Sequence, residues 1–122
     1  MSWRLTVRAQ NRVERSSFDG LDRLLDTLEM RGRELARSAS VETVDVKIKQ
    51  FEPVQQVVAR LELAGPERLL PSVVAGVDIR GDGSSEAFRG KVRRVVLDQR
   101  PGEDAFAALR RALGDVLDAA GG

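Results

Sequence analysis

Val73-Val74-Ala75-Gly76-Val77-Asp78-Ile79-Arg80 runs straight into Gly81-Asp82-Gly83-Ser84. Side chains of a strand point alternately to its two faces, so Val73, Ala75, Val77 and Ile79 share one side. Gly81-Asp82-Gly83-Ser84 is a tight-turn signal, because Gly and Asp reach positive φ at little cost. A half-buried strand that ends in a tight turn predicts a hairpin, and hence antiparallel pairing. The expected return strand covers Glu86 to Leu97, but its parity changes partway. Phe88, Gly90 and Val92 suit one face, whereas Val95 and Leu97 need the other, so a bulge is expected near Arg93-Arg94.

Upstream of that hairpin, residues 43–63 predict another. Val44, Val46 and Ile48 alternate with Asp45, Lys47 and Lys49, and Phe51-Glu52-Pro53 offers the bend. Val57, Ala59, Leu61 and Leu63 then point inward against Val58, Arg60 and Glu62. At the start of the chain, Trp3, Leu5, Val7 and Ala9 alternate with Arg4, Thr6 and Arg8. Gln10-Asn11 supplies the turn, with Asn the residue that tolerates the left-handed region, and Arg12 to Ser16 returns.

Two segments change to helical period. Leu21, Leu24, Leu25, Leu28, Gly32, Leu35 and Ala36 form one stripe, predicting a helix from about residue 20 to 38, with Asp19 or Ser17 as its cap. Asp19 with Arg23 and Glu29 with Arg33 stand four apart, in the favourable order for ion pairs. A second helix runs from Asp104 through Phe106, Leu109, Leu113, Val116 and Leu117, with Asp104 or Glu103 at its positive end.

The expectation is one α+β domain over residues 1–122. It has a mainly antiparallel sheet of five to six strands and two helices packed on one face, in the order ββα-ββ-ββα. Leu5, Val7, Leu24, Leu25, Leu28, Val46, Ile48, Leu61, Val77, Ile79, Phe106, Leu109 and Leu113 are the expected core.

Composition excludes more than it suggests. The 122 residues contain no Cys, His or Tyr. Disulfides, thiolate chemistry, Cys/His metal sites and imidazole bases are therefore out. The N-terminus lacks the apolar stretch of a secretory signal, and apolar runs are too short to span a bilayer, so a cytoplasmic location is expected. Gly81-x-Gly83-x-x-Glu86 lacks the third glycine of a dinucleotide fingerprint, and Gly90-Lys91-Val92 lacks the features of a phosphate loop. Asp22 and Asp26, one turn apart, lie off the apolar stripe and read as solvated charge. No catalytic, cofactor or metal site is expected, and the chain reads as a non-enzyme.

One segregation of charge stands out. Taken literally, the alternation puts Arg4, Arg8, Lys47, Lys49, Arg60, Arg80, Arg89, Lys91 and Arg93 on the outward sheet face, opposed by Asp45, Glu62 and Asp78. That is nine positive charges against three on a chain whose total is +1. Such a face suits a phosphate backbone. Equally, arginine stems solvate an exposed sheet face and pair across strands. No aromatic side chain interleaves with these charges, so a base-stacking platform is not expected.

Val58, Leu69, Leu70 and Val74 form a candidate contact patch, from which a homodimer is expected. The strand–strand–helix opening, Arg4-Leu5-Thr6-Val7-Arg8 through Arg12-Val13-Glu14-Arg15, Phe18 and Leu21, resembles in outline the arm-type DNA-binding domains of phage integrases. The likeness covers about a third of the chain and implies nucleic-acid binding. The leading expectation is a protein-interaction or scaffold module acting as a homodimer, with nucleic-acid binding through the basic face as the alternative and an uncharacterised enzyme third.

Overall fold

The computed structural model describes residues 2–46, 56–66, 73–90 and 93–121. Six strands form one antiparallel sheet: β1 (Trp3–Ala9), β2 (Arg12–Phe18), β3 (Val57–Ala64), β4 (Val74–Arg80), β5 (Ser85–Arg89) and β6 (Val95–Val96). Their spatial order is β2-β1-β3-β4-β5-β6. Helix α1 (Leu21–Val46) joins β2 to the β3 side, and α2 (Ala105–Gly121) closes the chain. The element order is therefore ββα ββββ α, with both helices packed against the sheet.

At the centre, β3 pairs with β4 so that Leu61 faces Val77, Leu63 faces Ala75 and Ala59 faces Ile79. All six are buried. They share the helix side of the sheet with Trp3, Leu5, Val7 and Ala87, against Leu24, Leu25 and Leu28 of α1 and Phe106, Leu109 and Leu113 of α2. Eleven of the thirteen expected core residues are buried. Val46 instead lies in α1, and Ile48 lies outside the described residues.

The sixth strand comes from a different segment than expected. Residues 43–46 continue α1, so Val44 and Val46 are not strand residues and Asp45 is not on the sheet. Extending a helix already formed fixes one residue per hydrogen bond gained, whereas a strand here would need a neighbour to pair with. The parity change after Phe88 is a reversal of the chain, not a bulge. Gly90 turns at φ +98°, and Val95 and Val96 pair back onto Arg89 and Phe88 as β6. A Cβ on Gly90 would lie 2.2 Å from the Arg93 carbonyl oxygen, so only glycine makes this turn. On β3 a register shift between Val57 and Ala59 turns Val57 outward, where alternation alone had placed it inside.

The tight turns divide into expected and unexpected. At residues 81–84, Gly83 takes φ +88°, while the Ser84 N–H and hydroxyl donate to Asp82 at 2.9 and 2.6 Å. Those two donors, the hydroxyl first, hold the Asp82 carboxyl below the usual carboxylate range. In the β1–β2 turn it is Gln10, not Asn11, that carries positive φ, at +55°. The two-residue loop pairs Ala9 directly with Arg12. Positive φ at its first position alone is the type II′ pattern, where glycine is the natural occupant.

The helices meet at Gly32, where an added Cβ would lie 2.6 Å from the Phe106 ring. Arg33 covers the other approach, 5.0 Å above the Phe106 centroid, and bonds Asp104 at 2.7 Å and Glu29 at 2.9 Å. The expected Glu29–Arg33 pair is thus formed. Asp19 precedes the helix and is not paired with Arg23; Gly20 occupies the cap position, its carbonyl accepting from the Leu24 N–H at 3.4 Å.

Asp104 caps α2 by accepting from the Ala107 N–H at 2.8 Å. That bond, seconded by Arg33, lowers its carboxyl below the ordinary value of 3.8. Glu103 ties the preceding loop instead, accepting from Arg111 at 2.9 and 3.1 Å.

Replacing Gln10 by Gly is expected to stabilise the protein by about 0.5–1 kcal/mol, since relief of the left-handed strain exceeds the entropy of the new glycine. A rise in denaturation midpoint at unchanged slope would show it. Asp104→Asn keeps a cap acceptor but loses the charge at the helix N-terminus and the ion pair to Arg33, and is expected to cost about 0.3–1 kcal/mol at neutral pH. Because folding depresses this carboxyl's pKa, its contribution is full above the ordinary value and is lost as pH falls through the lower folded value. Wild type and variant should therefore converge in acid titrations of stability.

Candidate functional site on the open sheet face

Both helices lie on one side, so among the described residues no helix or strand covers the other face of β1–β5. Its side chains follow from register. One row reads Arg15, Thr6, Glu62, Gly76, Phe88, Val96, and the next reads Val13, Arg8, Arg60, Asp78, Glu86.

The β3–β5 half is a closed network. Arg60 grips Asp78 with Nε at 2.6 Å and a terminal nitrogen at 3.0 Å. This planar two-point contact is the strong form of the ion pair, and it raises the Arg60 pKa above its usual value. Asp78 is buried, the one charged side chain so placed among the described residues. Arg80 bonds Glu86 at 2.8 Å, and Arg94 approaches Glu62 at 3.5 Å.

Phe88 sits in the middle. Its ring lies across Gly76, where any Cβ would meet it at 2.9 Å and the Leu61 carbonyl oxygen at 2.2 Å. The Arg60 and Arg94 guanidiniums stand 5.6 and 4.9 Å from its centroid, within cation–π range. An aromatic side chain therefore does interleave with the basic residues, contrary to expectation. Phe88 is only 3% exposed, however, so it offers no surface for stacking a base.

The β1–β2 half is different. Among the described residues, Arg4, Arg8 and Arg15 have no ion-pair partner. Arg8 stands directly opposite Arg60, a like-charge pair relieved only by the commitment of Arg60 to Asp78. Among the described residues the face carries six arginines (Arg4, Arg8, Arg15, Arg60, Arg80, Arg94) against Glu62, Asp78 and Glu86.

The expected basic set thus divides. Arg4, Arg8, Arg60 and Arg80 are brought together on this face. Arg89 is not: it pairs with Ala75 and Val95, which places it on the helix side. Arg93 lies in the β5–β6 turn, and Lys47, Lys49 and Lys91 lie outside the described residues. Arg15 and Arg94 were missed. The two-residue turn fixes Arg15 opposite Thr6, so hairpin arithmetic could have found it; Arg94 required the chain reversal at Gly90.

The expected apolar patch is not assembled from its described members. Val74 pairs with Ala64, six residues from Val58 along β3, or roughly 20 Å. Val58 instead lines a shallow hollow with Arg8, Gln10 and Arg60. Leu69 and Leu70 lie outside the described residues.

The sheet also has an edge here. β2 is exposed along its length apart from half-buried Phe18. Since Ala9 and Arg12 close the hairpin, alternate residues Val13, Arg15 and Ser17 direct their N–H and C=O groups outward from the sheet. Among the described residues no cluster of three metal-ligating side chains occurs, and no helix is long and apolar enough to cross a membrane.

Arg8→Thr is expected to stabilise the fold by about 0.2–1 kcal/mol by removing the like charge opposite Arg60. Equal or lower stability in urea titration would show that Arg8 serves the fold. No family model, curated protein or solved structure matches the chain, so its placement rests on this geometry.

Proposed function

We propose that the chain is a non-catalytic protein-interaction module that takes up an acidic, extended segment of a partner as an added strand beside β2. One observation carries this reading: the exposed edge β2 lies next to Arg4, Arg8 and Arg15, whose charge no described carboxylate matches. Strand addition uses the outward N–H and C=O groups of Val13, Arg15 and Ser17 for affinity. Alternate side chains of the incoming strand then face the same side as Arg15, where carboxylates find guanidinium partners.

Two other occupants are less well suited. A second copy pairing along the whole of β2 would centre on Arg15 and set it against its own counterpart on the open face. Nucleic acid would use the same arginines through its phosphates, but it would leave the edge groups idle and find no exposed ring to stack on.

The test uses an eight-residue peptide alternating Glu and Val, its Lys and Val counterpart, and random single- and double-stranded oligonucleotides. The acidic peptide is expected to bind and the basic one not. Arg4→Glu, Arg8→Glu and Arg15→Glu combined should abolish binding. Val13→Pro should also abolish it, removing an outward N–H without touching a bond to β1. Undiminished binding to Val13→Pro would sink strand addition. Oligonucleotide binding that weakens steeply with salt, without peptide binding, would establish the nucleic-acid reading instead. A dimer mass that reverts to monomer in Val13→Pro would assign the edge to a second copy.

A further inference from the structure

On the helix side, away from the open face, a cleft of about 250 Å³ lies between α2 and the β5–β6 hairpin. Its walls are apolar: Val73 and Ala75 from β4 and the residue before it, Val95 and Leu97 from the returning chain, and Leu113 from α2. Arg89 and Arg93 also line it. The placement of Arg89 follows from register, since its row partners are Ala75 and Val95.

Neither arginine has an ion-pair partner among the described residues. By contrast, Arg60 beside Phe88 is neutralised by Asp78, and Arg33 beside Phe106 by Asp104. Among the described residues, the cleft therefore combines an apolar interior with the unpaired charge of Arg89 and Arg93.

We infer that this cleft is a binding site for a small anionic amphiphile, a carboxylate carrying a medium-length hydrocarbon chain. The chain lies against Val73, Ala75, Leu97 and Leu113, and the carboxylate takes its hydrogen bonds from the Arg89 and Arg93 guanidiniums, whose planar fork matches it. The volume sits just below the ~300–1,000 Å³ typical of drug-sized pockets, which limits the ligand to a single short chain. Because none of these residues belongs to the β2 edge, the site stands or falls independently of the peptide reading.

The probe is octanoate, with 1-octanol and inorganic phosphate as controls, followed by calorimetry and thermal unfolding of the full chain. Octanoate is expected to bind saturably, one per chain, and to raise the melting temperature. Both controls should bind at least tenfold more weakly. Arg89→Ala with Arg93→Ala, at exposed positions where folding is unaffected, should weaken octanoate at least tenfold and leave octanol unchanged. Ala112→Phe, filling the cleft from α2, should remove both. The inference is overturned by absent or non-saturable octanoate binding, by equal affinity in the double arginine variant, or by octanol or phosphate matching octanoate.

Discussion

The pairing of β3 with β4 supports everything else. Leu61 opposite Val77, with Leu63–Ala75 and Ala59–Ile79 on either side, makes an apolar strip at the middle of the sheet, and both helices dock on it. Each fully buried Leu, Ile or Val side chain contributes about 1.5–3 kcal/mol by leaving water. The same strands set the opposite face by parity alone. If Leu61 and Val77 point to the helices, then Arg60, Glu62, Gly76 and Asp78 must point away. Burial on one side therefore dictates the chemistry displayed on the other.

That display is constrained by backbone as much as by charge. Gly76 leaves room for the Phe88 ring to lie flat across the strand, an arrangement that covers a glycine in a sheet with its aromatic neighbour. With the ring in place, Arg60 and Arg94 stack on it while holding Asp78 and Glu62. The β3–β5 half of the face thereby becomes self-satisfied. Among the described residues, positive charge on this face is left over only on β1 and β2, where the sheet also ends. In its described members, the basic face is a neutralised half beside a charged edge.

The second reservoir of unmatched charge lies on the other side of the molecule, and for a related reason. The chain reverses at Gly90, so β6 returns alongside β5 and brings Val95 and Leu97 over an apolar hollow next to Leu113. Arg89 is carried to that side by its register opposite Ala75. Two arginine groups thus serve different surfaces although alternation along the sequence would place them on one.

Local pattern was enough for what depends on near neighbours. The alternation of Trp3–Ala9 and Val73–Ile79, the helical stripe from Leu21 and an acidic start to α2 at Glu103 or Asp104 were all legible, because periodicity and helix-end charge are set within a few residues. So were the α+β class and most of the core. What remained hidden depended on partners distant in sequence. Period-two residues at 43–46 continue a helix, since a strand exists only where another is there to pair with it. The parity break after Phe88 is a hairpin, because Gly90 at positive φ turns the chain back onto β5. Which arginines of the open sheet face are neutralised was decided by tertiary structure: Arg60 with Asp78 is a cross-strand pair 18 residues apart, and the spare charge of Arg4, Arg8 and Arg15 emerges only once β1 and β2 stand at the sheet edge.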